Sequence, residues 1–169
     1  PTLENVLALV KARAKPDFRL YVELKTALLD PELSAAPEPL AEAAVALARR
    51  MDVSAHIVFV SFDWRALAHA KRIAPDIPNA FTTLPFFQID PQDGAAAYDK
   101  PGSEDEALRA ASAAGAPWAA GFDWRHQQGA RFTERMLKAI AAGPANGWLA
   151  WHGDVTAGTA DIARAPGLT

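Results

Sequence analysis

Cysteine is absent from the 169 residues, which excludes disulfides, thiolate nucleophiles and sulfur-ligated zinc together. No uninterrupted apolar run approaches the roughly 20 residues that span a bilayer. Neither sign of charge dominates: 17 Lys and Arg stand against 20 Asp and Glu, with no long basic run, so nothing favours a nucleic-acid partner. No His-x-His or His-x-x-x-His pair occurs, so histidine-based zinc chemistry is not visible. Ser61 lacks the glycine pair of a nucleophile elbow, which argues against a serine hydrolase. No Gly-x-Gly-x-x-Gly follows the first apolar strand, which counts against a dinucleotide fold. The chain opens on Pro1 without methionine or a signal-like segment, the pattern of a processed chain or of a piece of a longer protein.

What remains is a composition 50% apolar and 22% charged, that of a globular domain with one sizeable core. Thr2 reads as an N-cap, with Asn5 three residues on, and Leu3, Val6, Leu7 and Val10 follow at helical spacing. A strand over Phe18–Lys25 comes next. The proline-punctuated loop from Asp30 to Pro39 leads into an amphipathic helix ending at Arg50. The near-continuous apolar run His56–Ser61 has the pattern of a strand buried on both faces, and Asp63 caps a helix from Trp64 to Ala74. Further strands are predicted over Ala80–Leu84, Pro117–Phe122 and Gly147–Trp151. Helices are predicted over Glu104–Ala114, Phe132–Ala142 and from Thr156 to Arg164. The polar stretch Gln88–Ser103 is longer than an ordinary connection and reads as a functional loop or insertion. Strict alternation of about five strands with six helices predicts an α/β protein with a parallel sheet.

Within Leu20-Tyr21-Val22-Glu23-Leu24-Lys25, side chains alternate between faces, so Glu23 and Lys25 point one way and Val22 and Leu24 the other. A carboxylate and an ammonium together near a strand end suit a site that holds a cation and a phosphate. A strand-end salt bridge is the other reading of the same spacing. In a barrel the catalytic face lies at the C-terminal strand ends. Those ends carry Glu23, Lys25, Ser61, Phe62, Asp63, Thr82, Thr83, Asp123, Trp151 and His152. Asp63, Asp154 and Thr156 also suit helix caps there. Phe62, Trp151 and His152 are the substrate-pocket candidates. Trp118, Trp124, Trp148 and Trp151 either fill a barrel or wall its mouth, whereas His56, His69 and His126 read as surface or structural groups.

These segments resemble, in order, the glycerophosphodiester phosphodiesterases, a family of phosphatidylinositol-phosphodiesterase-like TIM barrels. Pro1-Thr2-Leu3-Glu4-Asn5-Val6-Leu7 is similar to the family's Pro-Thr-Leu-Glu-Glu-Val-Leu helix start, and Val22-Glu23-Leu24-Lys25 to its Glu-x-Lys strand. Val58-Phe59-Val60-Ser61-Phe62-Asp63 resembles the next strand, which also ends in Ser-Phe. Trp118–Asp123 and Trp151–Thr156 look like later segments of bacterial members.

The resemblance implies hydrolysis of small-molecule glycerophosphodiesters to an alcohol and glycerol 3-phosphate by metal-assisted acid–base catalysis, with calcium or magnesium as the cation. It places Glu23 at a metal-ligand position and Lys25 facing the phosphate. A carboxylate is a hard oxygen ligand for such cations, and an ammonium offsets charge on phosphate oxygens. The family's His-Arg-Gly, Glu-x-Asp and His-Asp motifs, which supply the acid–base histidines and further metal ligands, are not in this chain. Nor is its last strand, with a Trp-Thr-Val-Asn-like motif. The expectation is a single partial domain over residues 1–169: an incomplete (β/α)₈ barrel, first two and last strands missing, a fragment inactive by itself and not holding its cation stably. Exposed sheet edges would then favour self-association. Two other functions fit the same residues: a Schiff-base lyase using Lys25, which the neighbouring Glu23 disfavours, and a non-catalytic barrel kept as a binding module.

Overall fold

The computed structural model describes residues 1–84 and 103–169. Helix α1 (Leu3–Arg13) opens the chain, and Thr2 and Asn5 cap it reciprocally: each side chain accepts the other's backbone N–H, at 3.3 and 3.0 Å. The next elements are β1 (Leu20–Glu23), α2 (Pro37–Arg50), β2 (Ile57–Ser61), α3 (Trp64–Ile73) and β3 (Asn79–Thr82). After the undescribed stretch come α4 (Ser103–Ala113), α5 (Phe132–Ala142), β4 (Gly147–Leu149) and α6 (Ala157–Arg164). Thr156 caps α6 through a second such box, with Thr159. The polar loop expected over Gln88–Ser103 lies outside the described residues, except that Ser103 opens α4.

The four strands are all parallel and follow sequence order, β1-β2-β3-β4. In-register neighbours share a face. Val22, Leu24, Ile57, Phe59 and Phe81 belong to the core that Leu7, Val45, Leu67 and Ile140 of the helices complete. The opposite face carries Tyr21, Glu23, Val58, Val60, Ala80, Thr82 and Leu149. Val60 and Ala80 are buried yet stand outside that core cluster, while Tyr21 is 57% exposed. Right-handed crossovers explain the one-sided packing: when each new strand adds on the same side, each connecting helix falls on the same face. A doubly wound sheet would need the strand order to reverse. Here it does not.

The expected strand over Pro117–Phe122 is absent, so the described sheet has four strands rather than about five. The segment winds through turns, with Ala119 N–H donating to Ala116 O and Phe122 N–H to Ala119 O, both at 2.8 Å. Pro117 has no N–H for a ladder. Ala116, Ala120 and Gly121 all take positive φ, at 42°, 52° and 84°, which is incompatible with extended backbone. Its apolar side chains serve the core as turns: Trp118 and Ala119 are buried.

At its N-terminal end the β3–β4 register is fixed by two asparagines. Asn79 N–H donates to Asn146 Oδ1 and Asn146 N–H to Asn79 Oδ1, at 3.1 and 3.0 Å. On the outer side of β4, Thr169 makes a parallel-type bridge: Trp148 N–H donates to its carbonyl and its own N–H donates to Asn146 O, at 3.1 and 3.2 Å.

Candidate functional site

Three strand ends on one rim of the sheet carry polar groups, and the ends of β1 and β2 frame a cleft of about 700 Å³. Glu23, Lys25, Asp30, Ser61, Phe62 and Asp63 are among its walls. Glu23 and Lys25 share a face, as their spacing predicts, with Lys25 Nζ 3.8 Å from a Glu23 carboxylate oxygen. The Lys25 side chain is 80% exposed and that of Glu23 40%, so solvent screens the pair and it contributes little to stability. Its ammonium is open to an incoming anion.

Beneath this exposed pair lies a buried polar network. Ser61 Oγ donates to Leu24 O at 2.6 Å and accepts Asp63 N–H at 2.9 Å. Asp63 N-caps α3 by accepting Arg65 N–H at 3.1 Å. Its carboxylate also takes Arg65 Nε and Nη2, at 2.9 and 2.8 Å, and the Thr26 hydroxyl at 2.7 Å. Four donors saturate two oxygens, and no part of the side chain reaches solvent. Hydrogen bonding to Asp63 raises the Arg65 guanidinium above its ordinary value, with partial burial opposing it.

Phe62 lies in the cleft wall. Trp151 and His152 do not: they follow β4, two strands away from β2 in the sheet, with their rings 4.8 Å apart. The structure therefore brings Glu23, Lys25 and Phe62 together and leaves the other two candidates elsewhere. None of the four histidines lines the cleft. His56 Nδ1 lies 3.0 Å from Phe18 O, and His69 Nε2 3.0 Å from Glu42. Of the tryptophans, Trp118 is buried, Trp124 packs edge-on against Phe132, and Trp148 donates to the Thr83 hydroxyl.

The resemblance implies a divalent cation, and the described residues do not make a site for one. No three Asp, Glu or His side chains among them group closely enough to hold a metal ion. Glu23 offers one carboxylate, already facing an ammonium, and Asp63 has no oxygen to spare. Calcium needs six to eight oxygen ligands and magnesium a near-octahedral set.

Sequence reasoning took Asp63 as a cap and missed that it ties α3 to the end of β1. The sequence did signal its cap and its arginine clasp. Phe-Asp-Trp-Arg occurs twice, at residues 62–65 and 122–125, and both copies fold alike. Each Asp caps a helical turn by accepting the backbone N–H of the Arg two residues on, and binds that Arg's guanidinium as well. The first copy differs by its additional bond to Thr26.

No family model matches the chain, and no curated protein matches it in sequence. Among solved structures it is similar to a protein of Silicibacter pomeroyi DSS-3 assigned as a glycerophosphoryl diester phosphodiesterase, with a TM-score of 0.64 at 22% identity. The likeness covers 99% of this chain but 43% of that protein, so this chain spans less than half the length of its structural neighbour. The two share a fold.

Proposed function

We propose that this chain is the central part of a (β/α)₈ barrel that hydrolyses glycerophosphodiesters, water splitting the P–O bond to release an alcohol and glycerol 3-phosphate. The observation that carries this reading is the placement of Glu23 and Lys25. They lie at the carboxyl-end rim, where barrel enzymes bind substrate, and open into a cleft of about 700 Å³. The structural neighbour's assignment supports it. The sequential strand order with helices on one face also fits part of a barrel wall.

Lys25 supplies a mobile positive charge to the phosphoryl oxygens, where charge grows during hydrolysis. Glu23 is a single carboxylate that stands 3.8 Å from that ammonium at the cleft. No histidine reaches the cleft to move a proton. This chain alone therefore binds the phosphoryl group without turning the diester over. A Schiff-base lyase is disfavoured by exposure, because a nucleophilic amine needs a dry pocket and Lys25 is 80% exposed. The exposed Tyr21 and the outer edge of β1 are where copies of the chain would associate.

Titration calorimetry with glycerol 3-phosphate tests this reading. The chain should bind it, and Lys25→Met should weaken binding about tenfold or more, the loss expected for one charge-assisted contact. Equal binding by both proteins would overturn the assignment of Lys25.

A further inference from the structure

We propose that Ser61 and Asp63 are positioning residues for Lys25: from the end of β2 they hold the residues on either side of it, Leu24 and Thr26, and so aim the ammonium into the cleft. This rests on the reading that Lys25 meets a phosphoryl anion, and it adds what orients that lysine.

Lys25 lies beyond the end of β1, where regular pairing stops. The last ladder-type bond is Leu24 N–H to Val60 O, at 2.8 Å. An exposed ion pair 3.8 Å long does not fix a side chain that is 80% in solvent, so its direction depends on the backbone that carries it. Side chains take over from the ladder at that point. The Ser61 hydroxyl holds the Leu24 carbonyl at 2.6 Å, and the Asp63 carboxylate holds the Thr26 hydroxyl at 2.7 Å. Lys25 is thus bracketed by two bonds from residues two apart on the neighbouring strand end. Ser61 Oγ also accepts Asp63 N–H, which links the two anchors. Both anchors are buried, at 1% exposure each, where hydrogen bonds are little weakened by water.

The second Phe-Asp-Trp-Arg copy provides an internal comparison. Asp123 makes the same cap and the same clasp of its own arginine, and its carboxylate takes no bond from another element among the described residues. Capping and arginine pairing therefore do not require the bond that reaches 37 residues back to Thr26. That bond belongs to the site.

Thr26→Val is the cleanest probe, since it removes one hydroxyl and leaves the α3 cap and the Asp63–Arg65 pair in place. Ser61→Ala is the second. Nuclear magnetic resonance relaxation of the Lys25 amide reads the clamp directly. Both variants should lower its order parameter from about 0.85 toward about 0.6. Both should also weaken glycerol 3-phosphate binding about threefold, less than the loss of Lys25 itself, since each removes one hydrogen bond of the clamp and neither touches the ligand. A Thr26→Val protein whose Lys25 order and affinity match the parent's, whatever its melting temperature, would overturn the proposal and leave Asp63 a cap. If the parent shows no response to glycerol 3-phosphate, the phosphoryl reading fails instead, and the order parameter still decides whether the clamp exists.

Discussion

Asp123 shows how a single carboxylate here is governed by its neighbours. Burial works against its charge, but three hydrogen bonds from the Arg125 side chain and one from the Arg125 N–H outweigh it and hold its pKa below the ordinary value. A depressed carboxylate stabilises the fold fully above its unfolded pKa of about 4, and that contribution disappears as pH falls through the lower folded value. Asp123→Asn should therefore lower stability at neutral pH and flatten its acid dependence. Thermal melting from pH 7 to pH 2 checks this; an unchanged slope below pH 4 would contradict it. At this scale the sequence was partly legible. The alternation of Glu23 and Lys25 gave their shared face, and cap chemistry gave Thr2, Asp63 and Thr156. The Thr26–Asp63 bond was not legible, because it joins residues 37 apart through a loop whose course no local pattern fixes.

Among the elements, α3 and β3 join core and rim. Leu67 of α3 and Phe81 of β3 are fully buried, and the Trp64 ring lies 5.0 Å from that of Phe81. The Trp64 indole N–H also donates to Thr82 O at 2.9 Å, tying the start of α3 to the end of β3. Phe81→Ala should cost about 3–5 kcal/mol, as lost burial and a cavity combine. Chemical denaturation should show a lower midpoint at unchanged slope; a loss below about 1 kcal/mol would mean the site collapses around the gap. All six described helices were legible from apolar spacing, caps and proline positions. The turn at Pro117–Phe122 was not, because a short apolar run looks alike in a strand and in a buried turn. The left-handed conformations that decide the matter also fall on Ala116 and Ala120, which carry no glycine signal. Strand ends were read too generously for a related reason: β1 stops at Glu23 although its alternation continues through Lys25.

Taken whole, the described residues form a sheet with one face packed under the core helices and a second face exposed in part. Parallel sheets are ordinarily buried on both sides, and on the second face Val60 and Ala80 are buried while Tyr21 and Leu149 at its two sides are exposed. Alternation along the sequence predicted a parallel sheet because buried strands with helices between them leave few other arrangements. The sequential strand order needed the structure, since periodicity says nothing of neighbour order. On the proposed reading the packed face carries stability and the carboxyl-end rim the chemistry, with Glu23 and Lys25 exposed at that rim above a buried network. Diffraction from crystals soaked in glycerol 3-phosphate tests that division most directly. Phosphoryl density is expected in the cleft within about 3 Å of Lys25 Nζ, ordinary charge-assisted hydrogen-bond distance. Phosphate ordered elsewhere, with Lys25 turned away from the cleft, would contradict it.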